Sequence, residues 1–527
     1  MTTLEPPYDL LIIGGGINGV GIARDAAGRG LNVLLVEQND LASGTSSKST
    51  KLIHGGLRYL EQYEFRLVRK ALKERELLLG LAPHIIWPMK FILPHAPHLR
   101  PKWMIRIGLF FYDHLTRRKK LGKSRAVKLG GDSPLKADFS DAFSYYDCWV
   151  DDARLVVLNA RDAQDLGATI RPRTIFQSAR QQDGLWRARL KDRQTDSLMD
   201  VSAKAIVNAA GPWVSDVICD RLALPAHNRL RLVKGSHIIL PRLFPGDDSY
   251  ILQIADGRII FAIPYEKDFT LVGTTDEAFD GDPGDVQISD AEIDYLCQQI
   301  NLYFTPTLGH PLSKDDVVSH YAGVRPLYDD ATAEASAVTR DYVLALREDG
   351  GAPLLSIFGG KITTFRLLAE QAMEKLAPYF PDMAEPWTDS APLPGGALPD
   401  QDRTAFIAAQ QDRYPWLDPD LCARYAGLYG TRMDQMFKDY PGRSLKDEGV
   451  EDLATEGYLI GPGLYDYEVD FLVRHEWAQT AEDILWRRTK LGLRWSEEDV
   501  TRLEKWLKEK QSRTGQHYAS LDNRITF

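Results

Sequence analysis

Leu10, Leu11, Ile12 and Ile13 form an uninterrupted apolar run of the length a buried strand needs, and the chain turns glycine-rich directly afterwards. Gly14-x-Gly16-x-x-Gly19 predicts a tight turn into a helix whose body runs through Ala23, Ala26 and Ala27 and stops at Gly28-Arg29-Gly30. Asn32 to Val36 reads as a second apolar strand, ending in Glu37. Two later apolar runs end in small residues, Ala205 to Gly211 and Leu354 to Gly360, and the second leads into a helix expected from about Thr363 through Gln371. Both read as strands returning to the first sheet. The texture between them differs. Arg180 to Val201 is a polar, hairpin-like excursion, and Tyr250 to Asp276 reads as short strands with turns at Asp256-Gly257 and Lys267-Asp268. Ser289-x-x-Glu292 is a capping box opening a helix with Ile293, Leu296 and Ile300 on one face. After Ala391-Pro392-Leu393-Pro394-Gly395-Gly396 the pattern turns helical and rich in Trp, and Ser496 caps a late helix whose Val500, Leu503 and Leu507 share a face. The reading is an α/β chain: a discontinuous Rossmann-like nucleotide domain, an inserted α+β cap and a C-terminal α-helical domain.

The residue types of the opening unit have physical reasons. Glycines at 14, 16 and 19 permit the turn, the approach of backbone to a pyrophosphate and the packing of helix on strand, while the helix N-terminus offers N–H donors and positive dipole. Gly15, Ile17 and Asn18 belong to the same cradle. Glu37 stands about 20 residues on, where a carboxylate accepts from ribose hydroxyls and repels a 2'-phosphate, which disfavours NADP. The motif does not separate NAD from FAD.

Composition narrows the classes. The 527 residues are 44% hydrophobic and 26% charged, which is globular and excludes disordered, collagenous and disulfide-stapled chains. That length suggests about two to four domains. A net charge of -10 supplies no global positive field for nucleic acid. Cys148, Cys219, Cys297 and Cys422 are scattered, so the expectation is reduced thiols, with no zinc or other metal site. The N-terminus lacks the basic and apolar regions of a secretory signal, and no apolar run reaches the ~18 to 20 residues of a spanning helix, which points to the cytoplasm. The segment from Pro101 to Lys120 is amphipathic and basic: Lys102 and Trp103, then Ile107, Phe110 and Phe111 at helical spacing, then Arg117-Arg118-Lys119-Lys120. It suits either a core helix with a solvated basic end or a helix lying in an anionic membrane interface.

Several ordered motifs together are similar to one family: IIGGGINGVGIARDAAGRG at the start, SSKSTKLIHGGLRYLEQYEFRLV from Ser46, CWVDDARLV from Cys148, NAAGPW from Asn208, KGSHI from Lys234, VGTTD from Val272, GVRPL from Gly323, TRDY from Thr339 and FGGKITTFR from Phe358. In these the chain resembles the FAD-dependent glycerol-3-phosphate dehydrogenases of the aerobic, respiratory bacterial type, over nearly its whole length. The resemblance implies noncovalent FAD, oxidation of sn-glycerol 3-phosphate to dihydroxyacetone phosphate, electron transfer to a membrane quinone, a homodimer, and peripheral attachment to the cytoplasmic face of the inner membrane. It sets the FAD-binding segments at about 8–80, 150–235 and 345–380, the substrate cap at about 81–149 and 236–344, and the helical domain at 391–527.

Oxidising a secondary alcohol requires a hydride acceptor, which the resemblance gives as flavin N5, a base for the hydroxyl proton, and an anchor for the far end. The resemblance implies that Arg58 and Arg340 hold the phosphate, where a guanidinium fork fits, and that Arg325 lies near the reacting hydroxyl, with Tyr59 and Thr275 as further substrate contacts. His237 is the candidate proton acceptor, with Arg325 or water as alternatives. Lys361 opposes the helix dipole at its own position, the local conflict expected where a cation meets the anionic N1–O2 side of a reduced flavin. Ser46, Ser47, Lys51, His54, Ala210, Gly211, Gly359, Gly360 and Thr363 complete the expected cofactor contacts. Three rivals stand beside this reading: a glycerol-3-phosphate oxidase passing electrons to oxygen, an amine or amino-acid oxidase, and a non-catalytic flavoprotein.

Overall fold

The apolar run Leu10–Ile13 becomes part of the strand Tyr8–Ile13, fully covered at the middle of a sheet. The computed structural model describes residues 6–96, 101–225, 228–329, 341–348, 351–438 and 458–514. The chain divides into two compact units, Met1–Leu393 and Pro394–Phe527.

In the first unit, Tyr8–Ile13 pairs in parallel with Val33–Val36 on one side and Leu198–Asn208 on the other, and Leu354–Phe358 pairs in parallel with Leu198–Asn208. Residues 10–13, 33–36 and 205–207 and most of Leu354–Phe358 are apolar because both faces are covered there. Thr169–Arg171 and Val343–Arg347 close the two edges, and the hairpin Thr174–Gln182 and Leu185–Asp192 attaches antiparallel, where sequence placed a polar excursion. The helix Ile17–Gly28 lies against the helices Asp152–Asp165 and Phe365–Leu376. Strands as much as 195 residues apart in sequence thus become neighbours, as do helices more than 300 residues apart.

A second, ten-stranded mixed sheet follows the order Glu277–Ala278, Arg229–Pro241, Phe269–Gly273, Ile259–Tyr265, Ser249–Gln253, Ile86–His95, Asp141–Val150, Leu52–Ile53, with Ser319–Asp329 paired along Arg229–Pro241. The Arg229–Pro241 strand runs unbroken through residue 236, so this sheet begins before the boundary read from sequence. Through Leu52–Ile53 it also reaches into the first stretch read as cofactor-binding. The helix Asp290–Tyr303 covers it, burying Ile293, Leu296 and Ile300 against Ile238, Leu240 and Val272. Its capping box forms as expected: Ser289 Oγ accepts from Glu292 N at 3.3 Å, and Glu292 Oε2 accepts from Ser289 N at 2.9 Å.

The helix Lys102–His114 buries Leu109 and Tyr112 and leaves Trp103 62%, Ile107 48% and Phe110 57% exposed. The apolar face read from sequence is therefore the outward one. Beside it, Arg66, Arg69, Lys70 and Lys73 on the helix Phe65–Leu81 join His114 and Arg117 around an open groove of about 820 Å³. No helix among the described residues is long and apolar enough to cross a membrane.

The second unit is mainly helical, built from Arg403–Arg413, Pro419–Tyr429, Asp466–Glu476 and Glu497–Thr514 with a two-stranded ribbon, Leu459–Gly461 and Leu464–Tyr465. Its core gathers Tyr425, Tyr429, Phe471, Leu472, Ile484, Leu503 and Leu507. The buried Glu468 carboxylate is held by Arg424 at 2.6 Å and by the Tyr429 hydroxyl at 2.6 Å.

Candidate active site

The carboxyl ends of the four central parallel strands open on one cavity of about 1050 Å³, lined there by Ile13 and Gly14, Val36 and Glu37, Ala209 to Gly211, and Gly359 and Gly360. This is where open α/β sheets bind ligands, and the volume stands at the top of the range for drug-sized molecules. Gly14 has φ +111°, and a Cβ there would sit 2.5 Å from the Ala209 carbonyl oxygen. At Gly19 a Cβ would lie 2.0 Å from the Gly14 carbonyl oxygen, so the helix can pack on the turn only without a side chain.

The turn is held from three sides. Ser46 Oγ accepts from Ile17 N at 3.0 Å, Asn18 Nδ2 donates to the Gly359 carbonyl at 3.1 Å, and Glu37 Oε2 accepts from Gly15 N at 2.7 Å. The other Glu37 oxygen accepts from Asn39 N at 2.8 Å. Burial raises the Glu37 carboxyl above its ordinary value, against the pull of those N–H donors. At the far end Thr363 Oγ1 accepts from His54 N at 3.2 Å, and Lys361 Nζ lies 4.0 Å from the centre of the Tyr59 ring. Burial lowers the His54 pKa, so that imidazole is neutral near pH 7.

His237 is 2% exposed, stacks on Tyr321 with ring centres 4.8 Å apart, and shares a hydrogen bond of 2.9 Å between Nε2 and Thr50 Oγ1. Burial first, then the Arg325 and Lys51 cations, push its pKa down to about 3, with Asp152 opposing, so the ring is neutral and able to accept a proton. Arg325 Nη2 donates to the Thr275 carbonyl at 3.1 Å and lies 3.7 Å from Asp276 Oδ1.

The structure brings His237, Arg325, Lys361, Tyr59, His54, Ser46, Thr363, Ala210, Gly211 and the glycine turn onto one cavity. It does not bring all the expected residues there. Arg58 is exposed and donates to the Gly257 carbonyl at 2.8 Å, because successive residues of the short helix Leu57–Gln62 point about 120° apart and Tyr59 takes the inward direction. Lys51 is buried on Asp152, 2.9 Å away, and donates to the Ser47 carbonyl at 3.2 Å; these residues brace the loop that carries Ser46 and Thr50. Gly15 and Gly19 support the turn from behind. Thr275 is fully buried behind the cavity wall, and Arg340 lies outside the described residues. Sequence reading missed Lys48, Thr50, Arg231, Asp276 and Tyr321, all in the lining. A signal for Arg231 was present: Arg231, Val233, Gly235 and His237 alternate along one strand and share its inner face.

Residues 9–366 match the family described as FAD dependent oxidoreductase. The chain belongs to this family. As an FAD-dependent oxidoreductase its cofactor is FAD, and the glycine cradle, the Glu37 carboxylate and the residues at 359–363 fit that dinucleotide. Residues 386–512 match the C-terminal domain of alpha-glycerophosphate oxidase. The glycerol-3-phosphate dehydrogenase of Pseudomonas aeruginosa is 53% identical over 505 residues, 96% of each chain. The D-erythritol 1-phosphate dehydrogenase of Brucella abortus is 50% identical over 501 residues, 94% of this chain and 97% of that one. Among solved structures, the glycerol-3-phosphate dehydrogenase from Bacillus halodurans complexed with FAD is similar at a TM-score of 0.74 and 29% identity, covering 99% of this chain and 94% of that chain.

Proposed function

We propose that this FAD-dependent oxidoreductase converts sn-glycerol 3-phosphate to dihydroxyacetone phosphate and passes the electrons to a membrane quinone. The observation that carries the reading is a buried His237 lining one cavity with the Arg325 and Lys361 cations, the arrangement an anionic alcohol requires. The likeness to glycerol-3-phosphate dehydrogenases supports the substrate.

FAD, when bound, supplies the two-electron acceptor. Gly14, Gly16, Ile17, Asn18 and Ser46 would hold its pyrophosphate and Glu37 its ribose, with Ala210, Gly211, His54 and Gly359 to Thr363 along the rest of the cavity. Arg325 fixes the reacting hydroxyl oxygen, and a ring nitrogen of His237 takes its proton. A weak base suffices, because the hydroxyl becomes far more acidic as hydride departs. A phosphate ester entering the cavity also adds negative charge, which raises the proton affinity of the imidazole. Lys48, Arg231, Arg325 and Lys361 supply the positive field for that phosphate. Quinone is dissolved in lipid, and the outward Trp103, Ile107 and Phe110 beside a cationic groove support attachment of this face to an anionic membrane.

The test is anaerobic. Glycerol 3-phosphate added to the protein in mild detergent bleaches the flavin spectrum at once; a flavin that stays oxidised overturns the substrate. The Brucella relative motivates a second reading, and D-erythritol 1-phosphate in the same cell decides it by the ratio of reduction rates. Turnover that depends on quinone and releases little peroxide separates the dehydrogenase from an oxidase.

A further inference from the structure

The capping-box residue Glu292 does more than close its helix. Its carboxylate is 2% exposed and accepts from five donors: Ser289 N at 2.9 Å and Ser289 Oγ at 3.1 Å, Lys234 Nζ at 2.8 Å, Ser236 Oγ at 2.8 Å and Thr275 Oγ1 at 2.9 Å. Burial alone would raise its pKa, but the donors outweigh burial and hold it at about 2, so it is ionised throughout the working range. Thr275 Oγ1 also accepts from Ser236 N at 2.9 Å. The hydroxyl has therefore given its one proton to Glu292 and taken a backbone donor, and it is turned away from the cavity. What Thr275 presents on the cavity side is its carbonyl, which accepts from Thr274 Oγ1 at 3.0 Å and from Arg325 Nη2 at 3.1 Å. Across from that carbonyl, the Arg325 guanidinium lies over Gly235, where a Cβ would come within 2.4 Å of Nη2. The fork lies between a strand floor with no side chain, the Thr275 carbonyl and the Asp276 carboxylate 3.7 Å away, and that carbonyl is backed by the helix start at Ser289–Glu292 together with the Thr275 N–H bond to the Ser236 carbonyl at 3.3 Å.

We infer that Glu292 is a positioning residue for Arg325, acting through the Thr275 hydroxyl and carbonyl. The inference rests on the reading that Arg325 faces the reacting hydroxyl. It reassigns Thr275 from substrate contact to the link between a helix N-terminus and the reacting centre, and it explains why a buried carboxylate with five donors stands behind a wall of the cavity. Displacements near 1 Å at a reacting centre cost up to about a hundredfold in rate.

The experiment uses the full-length, FAD-loaded protein and anaerobic stopped-flow reduction by glycerol 3-phosphate, with Kd read from the flavin spectrum and flavin content and melting temperature recorded beside it. Thr275→Val and Glu292→Gln should slow reduction about tenfold or more with little change in Kd, and Thr275→Ser, which restores the hydroxyl, should recover most of the rate. A loaded Thr275→Val protein that reduces at the parental rate, with only its melting temperature lowered, overturns the positioning role. Arg325→Lys separates the two ideas. If it is slow while Thr275→Val is not, only the positioning role falls; if it reduces at the parental rate, the placement of Arg325 falls and takes the proposal with it. Should Glu292→Gln fail to fold, the Val and Ser variants at 275 carry the test by themselves.

Discussion

At the residue scale, two buried groups tie chemistry to acid stability. His237 has its pKa lowered to about 3, chiefly by burial, and Glu292 is held at about 2 by its donors. In both cases the unfolded chain binds a proton at a pH where the folded chain does not. Stability is therefore lost on acidification, from about 6.5 downward for the histidine and from about 4.5 downward for the glutamate. The melting temperature should fall as pH drops from 6.5 toward 4, and His237→Asn should flatten the upper part of that fall. The same variant should slow flavin reduction about a hundredfold or more while Kd for glycerol 3-phosphate changes little; an unchanged rate in stopped flow removes His237 from the role of base. In the helical unit, Arg424→Ala strips the main partner from the fully buried Glu468, and the cost expected for an uncompensated buried charge is about 3 to 5 kcal/mol, read as a lower urea midpoint for that unit.

At the scale of elements, the glycine turn makes the sharpest prediction. Gly19→Ala places a methyl 2.0 Å from a backbone oxygen that cannot retreat without moving the turn, so the purified variant should lack most of its FAD, measured by flavin absorbance per polypeptide. This unit was fully legible in the sequence, because apolar strands, glycine spacing and an acid at the second strand end are local patterns. Tyr59, His237, Arg325 and Lys361 were legible through motif likeness. What sequence concealed was direction. Arg58 and Tyr59 are neighbours, yet a three-residue turn sends one outward and the other into the cavity. Thr275 was named, but its hydroxyl faces Glu292, a residue visible in the sequence only as a helix cap. Thr50 and Tyr321 were invisible because their value comes from meeting His237 across 187 and 84 residues of chain, and no periodicity encodes such a meeting.

For the whole molecule, the outward aromatic face and the cationic groove predict binding to anionic vesicles that weakens with salt. Each large apolar side chain drawn from water contributes about 1.5 to 3 kcal/mol. A Trp103→Ala, Phe110→Ala double variant should thus bind phosphatidylglycerol vesicles at least about tenfold more weakly in co-sedimentation, with flavin reduction in detergent unchanged. Binding that is unaffected would place the membrane contact elsewhere.

The order of strands in the parallel sheet has a consequence for how the protein is made. Its four central strands come from residues 8–13, 33–36, 198–208 and 354–358, and the floor of the cavity at Gly359 to Thr363 follows the last of them. During translation the first glycine turn waits for some 340 residues before Asn18 finds the Gly359 carbonyl. Long-range pairing of this kind is slow and cannot begin before both partners exist. The nascent chain therefore leaves the ribosome for most of its synthesis as a half-built sheet with an exposed parallel edge, and FAD can be captured only after residue 363 has emerged. Cells short of flavin should accumulate full-length chains whose strands are all present but whose glycine cradle is empty, and these are the ones that proteases and chaperones would meet first.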